Sequence, residues 1–242
     1  MFKSSSIAAP LGGAACVALA VGAFALTLTG ARSAEPAVAL PAPALGEAAD
    51  AAAVEERVVL AGGCFWGVQA VFQHVKGVKQ AVSGYAGGDK DAASYEQVST
   101  GRTGNAESVE VTFDPHVVSY GTILQIYFSV AHNPTELNFQ GPDSGPQYRS
   151  EIFAESEAQK RVAEAYIAQL AAAKSFGAPI VTRVEPLRGF TPAEAYHQNY
   201  ATLNPDSPYI AYNDAPKVEN LRKLFPDAFR QKPKLVAVAG GG

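Results

Sequence analysis

Residues 56–75 change their pattern midway. Glu56-Arg57-Val58-Val59-Leu60-Ala61 is a short β-branched run, whereas Val68, Val71, Phe72 and Val75 recur at helical spacing. Between the two lies Gly62-Gly63-Cys64-Phe65-Trp66-Gly67, which holds one of the two cysteines and the only tryptophan in the chain. The chain therefore passes from strand to helix at Cys64. The first N–H groups of such a helix have no intrahelical acceptor, so they and the helix dipole favour a thiolate there, and an unusually acidic thiol is expected. Gly62 and Gly63 permit a tight bend and a close approach of ligand to backbone. The plainer alternative is a buried structural cysteine, since cysteine is among the most buried residue types. The glycine punctuation and the flanking aromatics favour a reactive one.

The amino-terminal stretch reads differently. Lys3 stands before a region, Ile7 to Leu28, with no charged side chain, and Ala31-Arg32-Ser33 follows as a cleavage site. This is the layout of a secretory signal peptide over residues 1–33, with an uncleaved membrane anchor as the rival. Either reading exports the folded part, to the periplasm or the extracellular space, and membrane attachment follows only if the segment is retained. Residues 34–54 are rich in Ala and Pro with no aromatic residue, and are expected to form a disordered linker. A catalytic domain is expected over 55–230, with a flexible tail over 231–242. Loss of Lys3 and Arg32 would take the net charge from −4 to −6, and with no basic cluster the domain offers nothing to nucleic acid.

Within the domain the patterning predicts strands at 57–61, 77–85, 108–113, 150–154 and 179–185. Helices are predicted at 65–74, from Ser119 through Val130, and from Ser156 to Lys174, the last opened by a Ser156/Gln159 capping box. The order β-α-β-β-α-β then α-β predicts an α+β fold, a ferredoxin-like two-layer α/β sandwich with additional helices and long C-terminal loops.

Beyond the Gly-Cys-Phe-Trp-Gly core, further segments follow in order: Gly84-Tyr85-Ala86-Gly87-Gly88, Ser94-Tyr95-Glu96-Gln97-Val98, Gly104-Asn105-Ala106-Glu107, His132-Asn133-Pro134-Thr135, Gln140-Gly141-Pro142-Asp143, Gln147-Tyr148-Arg149-Ser150 and Tyr196-His197-Gln198. Together they resemble the peptide methionine sulfoxide reductases of the A class across nearly the whole domain. A sulfoxide sulfur is weakly electrophilic and its oxygen leaves poorly, so thiol reduction needs a nucleophile and an acid. By resemblance Cys64 is the nucleophile and Glu107 the acid, the latter kept neutral by desolvation beside Phe65 and Trp66. Tyr95 and Tyr148 match tyrosines that hydrogen-bond the sulfoxide oxygen. Phe65 and Trp66 match the apolar cage for the substrate methyl group, and Asp143 matches an acid that contacts substrate backbone. The resemblance implies reduction of the S epimer in oxidised proteins or peptides and in free methionine sulfoxide, leaving a sulfenic acid on Cys64. It implies no cofactor and no metal.

Many relatives carry later cysteines that resolve the sulfenic acid, and this chain has none after Cys64. A thioredoxin-like protein or a small thiol is therefore the expected reductant. Phe139 stands where the family commonly has Arg. Two other classes fit a lone reactive cysteine: a hydrolase pairing Cys64 with His132 or His197, and a redox-sensing module. In the absence of the resemblance, Glu107 reads as a solvated strand acid and the two histidines as structural hydrogen-bonders.

Overall fold

The computed structural model describes residues 1, 37–46 and 53–237. The expected apolar segment, its cleavage site and Cys16 lie outside the described residues. Among the described residues no helix is long and apolar enough to cross a membrane.

Strand β1 (Glu56–Ala61) turns at Cys64 into α1 (Phe65–Gln73), followed by β2 (Val78–Ala86), the short helix α2 (Tyr95–Val98), β3 (Ala106–Phe113) and α3 (Tyr120–Ile126). A two-stranded ribbon, β4 (Phe139–Gln140) and β5 (Asp143–Ser144), precedes β6 (Glu151–Ala154) and the long α4 (Glu157–Ala172). Then come β7 (Arg183–Pro186), β8 (Phe190–Pro192), α5 (Tyr200–Leu203) and α6 (Ala215–Leu224). The fold is mixed α+β. Its six-stranded sheet has the order β7-β6-β1-β3-β2-β8, antiparallel except where β6 meets β7.

Alternation along the strands gives this sheet two buried faces. Val58, Leu60, Val109, Val111 and Ile152 join Val68, Val71 and Phe72 of α1 and Val162, Tyr166 and Leu170 of α4 in the main core. Val59, Ala61, Ala86, Ala106 and Phe153 form a second cluster, covered by Leu187 and Phe190. The pairing of Leu60 with Val109 and of Tyr85 with Glu107 sets the register that brings the start of β3 beside the Cys64 turn.

Several expectations are refined. Ser119 caps α3, its Oγ accepting from the Thr122 N–H at 3.1 Å, but the helix widens into a π turn over Tyr127–Ala131 before Asn133-Pro134. Ser156 Oγ accepts from the Gln159 backbone N–H, whereas the Gln159 side-chain Oε1 accepts from the Glu155 N–H instead of returning to Ser156, so the capping box closes one residue early. The strand predicted over 179–185 shortens to Arg183–Pro186, and β8, too short to show alternation, pairs with the edge of β2.

The expectation of a disordered linker over 34–54 is corrected for residues 37–46. Leu40 is buried in the main core, Tyr166 donates to the Pro41 carbonyl at 2.7 Å, and Gln169 bonds both Ala42 and Ala44. One large apolar side chain and a set of satisfied carbonyls hold the strap, signals that a composition dominated by Ala and Pro conceals. The expected tail is likewise docked at Val236, which exchanges backbone bonds with the Asn199 side chain.

Candidate active site

Cys64 is the N-cap residue of α1 and is 8% exposed. Gly63, with φ at +84°, supplies the left-handed turn that delivers it, and a Cβ there would fall 2.7 Å from Gln140. Gln140 is itself clamped to both backbone groups of Asn133, so the ribbon β4–β5 is fixed against the turn. Phe139 pairs with Ser144 in that ribbon.

The free N–H groups of α1 are shared between two acids. The Phe65 N–H donates to Oε2 of Glu107 at 3.0 Å, while the Trp66 N–H favours the Cys64 thiolate. Glu107 is not the solvated strand acid that its position suggests but lies 3% exposed, and burial, reinforced by the charges of Asp143 and Asp214, pushes its carboxyl up to about 8. It carries a proton at neutral pH. The expected acidity of the thiol is corrected: burial first, then Glu107 and Asp214, push Cys64 well above the ordinary thiol range. Helix N–H groups oppose this, but one is already taken by Glu107.

The other residues named from sequence converge on the same place. Tyr95 opens α2, its N–H held by Glu194 at 2.9 Å, and its hydroxyl is raised by burial and by the charges of Glu107 and Cys64. Tyr148 ends a short turn before β6, and burial with the charges of Glu107, Asp143 and Cys64 raises its hydroxyl as well. Both hydroxyls remain donors at physiological pH. Asp143, on β5, accepts from the Tyr209 hydroxyl. Phe65 is buried against Tyr85 and His197. Trp66 stacks on Tyr200 at 3.8 Å, meets Tyr209 edge-on at 5.8 Å, and donates its indole N–H to Nδ1 of His197 at 3.2 Å.

Neither histidine serves Cys64. Nδ1 of His132 lies 3.2 Å from the Tyr127 carbonyl, which can only accept, so Nε2 accepts from Ser150 at 2.7 Å. His197 accepts from Trp66, which puts its proton on Nε2, toward Glu194 at 4.0 Å. A thiol paired with a histidine base is thus not present, and burial holds both imidazoles below their ordinary range, His132 at about 3. Glu194, Tyr200, Tyr209 and Asp214 were not singled out from sequence, and His197 only as an alternative base for Cys64 or a structural hydrogen-bonder. Only His197 lay in a marked segment; the rest reach the site from the C-terminal segment, all more than a hundred positions from Cys64, with no local pattern to betray them.

Residues 56–228 match the family described as peptide methionine sulfoxide reductase. A relative from Mesorhizobium japonicum, named peptide methionine sulfoxide reductase MsrA 2, is 65% identical over 189 residues, covering 78% of this chain and 97% of its own. MsrA of Thermus thermophilus is 48% identical over 176 residues, covering 73% and 98%. Among solved structures, methionine sulfoxide reductase A of Corynebacterium diphtheriae superposes with a TM-score of 0.56 at 32% identity, covering 71% of this chain and 85% of that one. Reduced Mxr1 from Saccharomyces cerevisiae gives the same TM-score of 0.56 and identity of 32%, covering 64% and 89%.

Proposed function

The chain belongs to the peptide methionine sulfoxide reductase family and is a methionine sulfoxide reductase, and from that premise we propose a one-cysteine mechanism with Cys64 as nucleophile and Glu107 as acid. The observation that carries it is a buried carboxyl, pushed by burial toward its protonated form, that accepts an N–H from the first turn of α1 beside a buried thiol. Sγ of Cys64 attacks the sulfoxide sulfur while Glu107 protonates the oxygen, and Tyr95 and Tyr148 donate to that oxygen as charge builds on it. The oxygen passes to Sγ, the substrate sulfur gains two electrons and Cys64 loses two. The thiol proton replaces the one given by Glu107, so the products are methionine and a sulfenic acid. Phe65 and Trp66 receive the methyl group, and Asp143, braced by Tyr209, faces substrate backbone.

With Cys64 the only cysteine beyond the amino-terminal apolar segment, an external thiol must restore it. One equivalent displaces water from the sulfenic acid to give a mixed disulfide; a second releases Cys64 and leaves the reductant oxidised. A thioredoxin-like protein fits this role, and a small thiol replaces it in the test tube. The composition of residues 1–33 supports export and repair of exported proteins. The parallel pair β1 and β2, split by β3 and flanked by β6, supports a ferredoxin-like reading of the sheet centre.

An assay with separated sulfoxide epimers tests the reading. Turnover of the S epimer with external thiol is expected. Without thiol, one methionine per site and a dimedone-reactive Cys64 are expected. Equal turnover of both epimers, or several methionines per site without thiol, would overturn it.

A further inference from the structure

Asp214 closes the π turn Ile210–Asp214 that leads into α6, and it is 0% exposed. Neither of its carboxylate oxygens accepts a hydrogen bond of ordinary length, and the nearest cation, Lys217 Nζ, stands 3.5 Å from Oδ1. The pair lies against the first turn of α1, where a Cβ on Gly67 would fall 2.1 Å from Asp214 Oδ1 and 3.0 Å from Lys217 Nζ. Glycine at that position lets a charge pair reach the helix that carries Cys64. A buried ion pair without supporting hydrogen bonds adds little or nothing to stability, so the packing of the core does not account for it.

We propose that Asp214 is a positioning residue of the reductase: its carboxylate, buried beneath the first turn of α1 against Gly67, is a fixed negative charge that disfavours further negative charge on Cys64 and Glu107. The proposal rests on the roles given above to Cys64 and Glu107. Cys64 faces Glu107 from β3, Asp143 from β5, Asp214 from the π turn and the Trp66 N–H of α1. Glu107 accepts from the Phe65 N–H and feels the charges of Asp143 and Asp214, and its own charge acts on the hydroxyls of Tyr85, Tyr95 and Tyr148. Asp214 itself faces Lys217 and Asp143 and is raised by burial to about 6, so it is charged at neutral pH. The consequence is protective. A thiol held as a thiol is a poor target for peroxide, so an enzyme that repairs oxidative damage keeps its nucleophile in reserve.

The test reads Cys64 directly, by its rate of alkylation with iodoacetamide against pH in the full folded domain. In Asp214→Asn the thiol should titrate lower by about one unit, so alkylation near pH 8 should be roughly tenfold faster. The double variant Asp214→Asn with Lys217→Met leaves no orphan cation and guards against misfolding of the single one. It should be about threefold faster, because Lys217 Nζ stands farther from Gly67 of α1 than Asp214 Oδ1 does, so the two losses do not cancel. Glu219→Gln, an exposed acid of α6, should leave the rate unchanged. Alkylation unaltered in both folded Asp214 variants, with only thermal stability changed, would show a merely structural role and overturn the proposal. Because alkylation needs no sulfoxide turnover, this result is separate from the fate of the catalytic reading.

Discussion

Two buried polar clusters flank the strand-to-helix turn, and they are built on opposite terms. Around His132 the groups are paired: the Tyr127 hydroxyl donates to the Ala61 carbonyl at 2.6 Å, Ser150 lies between His132 and Thr182 at 2.7 Å from each, and the charges of Glu151 and Lys217 act on the cluster without hydrogen-bonding the His132 ring. Around Cys64 the groups are left short. Glu107 receives one backbone N–H, Asp214 receives none, and two acids and a thiol are all pushed toward their neutral forms by burial. Saturated hydrogen bonding fixes geometry; unpaired acids cost stability but hold protons that a reaction can use. The difference separates scaffold from chemistry more sharply than residue type does, since each cluster contains a histidine and a tyrosine.

Substitutions should divide along that line. Cys64→Ser should reduce sulfoxide turnover to background in a correctly folded protein, because a serine hydroxyl is far less ionised than a thiol; methionine release in single turnover is the measure. Glu107→Gln should slow the reductive step by about a hundredfold or more, which rapid-quench kinetics would read.

The same variant should alter stability in the opposite sense. A carboxyl raised to about 8 when folded favours the folded state fully below its unfolded value, near 4.5, and loses that contribution as pH rises through the folded value. The wild type should therefore lose about 3–5 kcal/mol between mildly acidic and mildly alkaline pH from this group alone, and Glu107→Gln should not. Denaturant melts at the two pH extremes decide this, and parallel curves for the two proteins would break the contrast between the clusters.

Tyr127→Phe, in the saturated cluster, should cost about 1–3 kcal/mol of stability by leaving the Ala61 carbonyl short of a donor, while the rate of methionine formation stays within about twofold. The smallest effect is expected for His197→Gln. Trp66 keeps an acceptor there, so KM for sulfoxide should rise only severalfold, and the wild-type weakening in acid, where His197 protonates and can no longer accept from the indole, should disappear.

The contrast also marks how far the residues could be read in advance. β3 was legible from its alternation, the α3 cap from Ser119, and the Cys64 turn from the change of period, because these are local. The motif segments placed Cys64, Glu107, Tyr95, Tyr148 and Asp143 in one site, yet local chemistry alone pointed the wrong way for two of them. Glu107 reads as a surface acid until the pairing of Tyr85 with Glu107 buries it. Cys64 reads as an acidic thiol until burial and the neighbouring acids outweigh the helix N–H groups. Asp214 and Tyr209 were invisible because they meet α1 and β5 only through the folded C-terminal segment. Leu40 was hidden as one apolar side chain among Ala and Pro, too sparse for any periodicity.

The central claim, that the Cys64 cluster stores a proton on Glu107, can be observed without turnover. Infrared difference spectra between wild type and Glu107→Gln isolate the carbonyl stretch of that one carboxyl. A protonated-acid band present at neutral pH and lost as pH rises through about 8 is the result predicted here. A carboxylate band already complete at neutral pH, with no change until the ordinary range of a solvated glutamate is reached in acid, would contradict it.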